Sequence, residues 1–86
     1  MGDVNYAKVV ETIICPLVTH PEDVSCKVVA VEDNVVKIHA TVNPIDLGRV
    51  IGKKGRVAGA IRTIAHAAAI RNKQSVEISF DSYEEE

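Results

Sequence analysis

Aromatic residues are nearly missing: there is no tryptophan, and Tyr6, Phe80 and Tyr83 are the only members of the class in 86 residues. That scarcity argues against a sheet surface that reads nucleic acid by stacking bases on exposed rings. Cysteine is scarce too. Cys15 and Cys26 stand in apolar surroundings, without the spacing of a zinc site and too few for a disulfide framework, so two reduced thiols of a cytoplasmic protein are expected. No apolar run approaches the roughly 20 residues of a membrane span. Met1 to Asn5 holds no basic region followed by an apolar stretch, so no signal peptide is expected. The length suits one domain spanning residues 1–86, and an apolar share of 47% suits a globular chain rather than a disordered one.

Acidic side chains are absent from Leu47 to Val76, a stretch that carries Arg49, Lys53, Lys54, Arg56, Arg62, Arg71 and Lys73. The rest of the chain sets three lysines, Lys8, Lys27 and Lys37, against all 12 acidic residues, which leaves a net charge of −2. A locally basic region in an acidic chain can still attract phosphate. The same charges also suit an ordinary helix with solvated side chains.

Asp3 or Asn5 can cap a first helix in which Tyr6, Val10, Ile13, Ile14 and Leu17 recur on one face. Pro16 kinks or ends it at Cys15. Ser25 to Glu32 reads as a strand, Asp33-Asn34 as a two-residue turn, and Val35 to Val42 as a strand that buries Val36, Ile38, Ala40 and Val42. Asn43 caps a short helix with Pro44 at its first position. That helix holds Ile45, Leu47, Val50 and Ile51 and stops at Gly52. A longer helix runs from about Arg56 to Ile70, with Val57, Ile61, Ile64 and Ala68 on one face. A last strand turns Val76, Ile78 and Phe80 inward, and the acidic segment 81–86 is expected to fray. The order α-β-β-α-α-β, with a two-helix crossover between parallel strands, implies an α+β fold: a mixed three-stranded sheet with three helices on one face.

Two glycines bracket two lysines between helical patterns, in Gly52-Lys53-Lys54-Gly55. Glycine permits backbone geometry that a Cβ penalises and leaves room for another backbone to approach. The following helix turns unpaired N–H groups and its positive dipole end towards the loop. With Arg49 and Arg56 nearby, this is a recipe for binding phosphate. A tight helical corner with solubilising lysines is the plainer alternative, since a bare G-x-x-G is common. A P-loop does not fit: the spacing is one residue short, Lys54 stands where Ser or Thr belongs, and a helix precedes the loop. His20, His39 and His66 fall in separate elements and pair with no nucleophile or metal-ligand partner. No catalytic group, metal, cofactor or small-molecule substrate is therefore expected, and the chain reads as a non-enzyme.

The run Val50-Ile51-Gly52-Lys53-Lys54-Gly55-Arg56 resembles the V-I-G-x-x-G signature of KH domains. The longer run from Asp46 to Arg56, with Ala60 to Ile64, is similar to the small bacterial single-KH family KhpA. The likeness covers nearly the whole chain, and the element order is that of the type II KH fold. It implies binding of about four single-stranded RNA nucleotides, with Gly52, Lys53, Lys54 and Gly55 clamping the backbone, and Arg49 and Arg56 beside them. Val50 and Ile51 are candidates for an apolar groove under the bases, core packing being the other reading. The family also implies self-association and pairing with a larger KH protein of the KhpB, or Jag, type. In such assemblies the helix after the loop supplies the contact, which here points to Ile61, Ile64, Ala65 and Ala68, with core packing again the alternative. The expected roles are therefore RNA binding in post-transcriptional regulation or as an RNA chaperone and, as the rival, a protein–protein module whose RNA binding is secondary.

Overall fold

A computed structural model describes residues 5–83. Asn5 caps α1 (Tyr6–Ile14), its side chain accepting a hydrogen bond from the Lys8 amide at 3.1 Å. Asp3, the other expected cap, lies outside the described residues. The α-helix ends one residue before Cys15, and Cys15–Leu17 forms a tighter 3-10 turn. Cys15 keeps right-handed α geometry (φ −51°, ψ −43°) despite the proline after it, and the α-helical ladder stops because Pro16 has no N–H to continue it.

Strands β1 (Ser25–Glu32) and β2 (Val35–Val42) form an antiparallel hairpin, and β3 (Ser75–Ser82) pairs parallel to β2, giving the order β1-β2-β3. The hairpin turn uses a positive φ of 53° at Asp33, a geometry that Asp tolerates better than most residues. A bulge falls between Val28 and Ala30. β3 reaches further than its inward-facing residues suggest, since Asp81 and Ser82 pair with Thr41 and Val42. The expected fraying of the tail thus does not begin at Asp81, and residues 84–86 lie outside the described residues.

Alternation in β2 has the expected result: Val36, Ile38, Ala40 and Val42 are buried. Against that face pack Tyr6, Val10 and Ile14 of α1, Val50 of α2 (Leu47–Ile51), and Ile61, Ala65 and Ala69 of α3 (Arg56–Ile70). The fold is α+β, with three helices and a mixed three-stranded sheet. The Tyr6 hydroxyl donates to Gln74 at 2.7 Å and accepts from Asn72 at 2.9 Å, tying α1 to the turn before β3. Among the described residues no helix is long and apolar enough to cross a membrane.

The buried stripe of α3 is Ala58, Ile61, Ala65 and Ala69. It is rotated from the expected stripe of Val57, Ile61, Ile64 and Ala68. Alanine at three of the four contact positions lets the helix axis come close to its neighbours, and close packing outweighs the burial of one larger side chain. Ile64 is left 50% exposed.

Candidate nucleic-acid interface

The segment that follows β2 is held from both sides. Asn43 caps it, accepting from the Ile45 amide at 2.9 Å while its own amide donates to Asp23. Three residues on, the Asp46 carboxylate is fully buried and accepts from the Thr19 amide, the Thr19 hydroxyl and the His20 amide at 3.0, 2.9 and 3.0 Å. Burial alone would raise its pKa, but these hydrogen bonds outweigh that effect and hold it below the usual carboxylate value. Asp46 thereby pins the turn after α1 to the start of α2. No local pattern marks this residue, because its partners lie 26 and 27 positions away.

α2 then makes little more than one turn and stops at Gly52, whose φ of 74° and ψ of 176° suit glycine alone. Lys54 and Gly55 follow with φ of 57° and 75°, so three of the four loop residues have positive φ. The result is a tight corner that projects Lys53 and Lys54 into solvent at the N-terminus of α3. Arg56, the first residue of α3, is exposed beside them. Among the described residues no carboxylate lies within ion-pair distance of Lys53, Lys54 or Arg56. Arg49 differs, since its Nε sits 3.4 Å from the Asp46 carboxylate and its charge is partly offset.

The structure shows which of the readings left open by the sequence these residues follow. Val50 is fully buried in the core cluster beneath α2, the core-packing reading of the two that the sequence left open. Ile51 is half-buried against the same core. Ile61 and Ala65, expected at a dimer contact, are each 1% exposed and lie in the packed stripe of α3. Of that set only Ile64, and in part Ala68, reach the surface. Ile64 borders an apolar cleft of about 350 Å³ between the end of α1 and the outer side of α3, lined also by Ile13, Leu17, Arg56, Val57, Ala60 and, at its floor, the buried Ile61.

Two groupings escaped the sequence. Arg62 of α3 lies over the Phe80 ring of β3, 5.2 Å from its centroid, and donates to the Ile78 carbonyl at 3.3 Å. His20, Glu22 and Asp23 bring ligand-type atoms within 4.8 Å of one another, with the Asp23 carboxylate already accepting from Asn43 and Tyr83. Of the cysteines, both half-buried and unbonded to each other, Cys26 is held as the thiol, since burial, aided by Glu11 and Cys15, pushes its pKa up to about 11.

A glycine-bracketed basic corner between two helices, set on a sheet whose last two strands are parallel, defines the type II KH domain. The profile for the KhpA/KhpB KH domain matches residues 7–80, and the chain belongs to that family. The protein named RNA-binding protein KhpA of Clostridium perfringens is 45% identical over 69 residues, which covers 80% of this chain and 91% of that one. The protein of the same name from Lactiplantibacillus plantarum is 40% identical over 73 residues, covering 84% of each. Among solved structures, Era from Aquifex aeolicus matches 94% of this chain with 33% of its own, at a TM-score of 0.74 and 18% identity, a likeness of fold.

Proposed function

We propose that this chain binds single-stranded RNA, with Gly52, Lys53, Lys54 and Gly55 clamping the sugar-phosphate backbone and Arg56 adding charge beside them. It acts without enzymatic chemistry, in the cytoplasm, as a post-transcriptional regulator or RNA chaperone. The observation that carries this reading is the pair of exposed lysines on a glycine-bracketed corner, with no carboxylate of the described residues in ion-pair range. Such a corner meets a phosphate with ammonium charge and helix N-terminal donors together. That the relatives are named RNA-binding proteins supports the same reading. The test is fluorescence anisotropy of a labelled single-stranded RNA at low salt against wild type and Lys53→Asp/Lys54→Asp. The variant is expected to lose binding while keeping its helical circular dichroism, and unchanged affinity would remove the clamp.

A second reading is favoured by the cleft between α1 and α3. Its apolar lining and the exposed Ile64 suit a protein contact, either with a second copy of this chain or with a larger KhpB-type KH protein. Sedimentation of the purified chain at high concentration, with retention on an immobilised KhpB-type partner, tests it. A chain that stays monomeric and is not retained would sink it.

A further inference from the structure

β3 is an outer strand of the sheet, and its edge away from β2 is unpaired among the described residues. Its odd-numbered residues bond towards β2 and its flank, as the amides of Ser75 and Tyr83 do with Asn34 and Val42. The groups of the even-numbered residues therefore face the open edge. One of them, the Ile78 carbonyl, accepts from Arg62, whose guanidinium also lies over the half-buried Phe80 ring. An exposed arginine is normally free to sweep through many rotamers. Here an aromatic face below and an acceptor at one nitrogen hold the plane in place, while Arg62 remains exposed to solvent.

We propose that the Arg62 guanidinium, supported by Phe80, is a stacking shelf for an RNA base. The proposal rests on the loop-clamp reading and extends it by naming what receives the nucleotide beyond the loop. Arg62 lies six residues after Arg56, about 9 Å along the helix axis, within the span of a strand of about four nucleotides held at the loop. The intervening surface belongs to the acid-free stretch from Leu47 to Val76, so a strand running that way meets no acidic side chain of α3. A guanidinium plane stacks on the face of any base, which makes the shelf tolerant of sequence. Because both its contacts are already made, little side-chain freedom is lost when the base arrives. The chain thereby has one stacking position despite its shortage of aromatic residues, and the ring serves as the support rather than as the shelf.

The decisive variant is Arg62→Lys, which keeps the charge and removes the plane. The probes are a fluorescein-labelled octamer of adenylate and an abasic ribose-phosphate octamer of equal length, both at low salt. Wild type and Arg62→Lys are expected to bind the abasic octamer within twofold of each other, while the variant binds the adenylate octamer about five- to tenfold more weakly. Phe80→Leu, which keeps Arg62 but removes its support, is expected to show a smaller loss on the same probe, about two- to threefold. Equal affinity of wild type and Arg62→Lys for the adenylate octamer overturns the shelf. So does an equal loss on both octamers, which would make Arg62 a phosphate contact. In either case the loop clamp survives if Lys53→Asp/Lys54→Asp abolishes binding of both probes; a wild-type chain that binds neither probe removes both proposals. Thermal melts of each variant separate a structural staple, which would lower Tm without any difference between probes.

Discussion

Gly52 lies directly against Val57. A Cβ built on Gly52 would stand 2.8 Å from the Val57 Cβ and 2.9 Å from its amide nitrogen, well inside van der Waals contact. The corner is therefore closed by the first turn of α3 folding back on the end of α2. Gly55 is different: its φ is 75°, but nothing lies within 4 Å of where its Cβ would be.

These two glycines should respond unequally to the same substitution. Gly52→Ala combines glycine-only backbone geometry with a clash and is expected to cost roughly 2–5 kcal/mol. Gly55→Ala carries only the left-handed penalty, about 1–2 kcal/mol. Urea denaturation measures both. Val57→Ala in the Gly52→Ala background should recover part of the loss, and strictly additive effects would show that the clash is not the cause.

Electrostatics at the loop can be read from salt. If Lys53 and Lys54 each neutralise one phosphate, Lys53→Ala/Lys54→Ala should reduce the slope of log affinity against log salt by about 1.4 for single-stranded RNA. The substitution should leave stability within about 0.5 kcal/mol, because both side chains are exposed. An unchanged slope would place the phosphate contacts elsewhere.

Asp46 makes stability depend on acid. Its pKa in the fold lies below the ordinary carboxylate value. Its contribution is therefore complete above the unfolded value, about 3.9, and is lost as pH falls through the lower folded value. Wild-type Tm should drop over this acidic range by more than that of Asp46→Asn. At neutral pH the asparagine variant should melt about 5–10 °C lower, since it cannot accept all three hydrogen bonds from Thr19 and His20. Parallel pH profiles for the two proteins would contradict the assignment.

The two isoleucines of α3 separate core from surface. Ile61→Ala removes a side chain that is 1% exposed and is expected to cost about 2–5 kcal/mol. Ile64→Asp, at a position 50% exposed, should cost under about 1 kcal/mol. It should also weaken any self-association through the α1–α3 cleft, which sedimentation equilibrium would detect. Association that survives Ile64→Asp would move the contact off that cleft.

What could be read without the fold was local. Strict alternation from Val35 to Val42 announces a strand with one buried face. Pro16 stops a helix, Asn43-Pro44 starts one, and two glycines around two lysines mark a sharp basic corner. Each follows from backbone sterics or from a periodicity within a few residues. A helix of small residues resists the same treatment. In α3 alanines outnumber isoleucines, so hydrophobicity alone selects the wrong stripe, and closeness to the sheet decides which residues are covered. By itself, the sequence determined the order of the elements, the inward face of β2 and the position of the basic corner, because chain neighbours set all three. Only the tertiary structure decided that Val50, Ile61 and Ala65 belong to the core, that Asp46 holds Thr19 and His20, and that Arg62 rests on Phe80. Those outcomes depend on groups brought together from distant parts of the chain, and no local rule of spacing carries information about them.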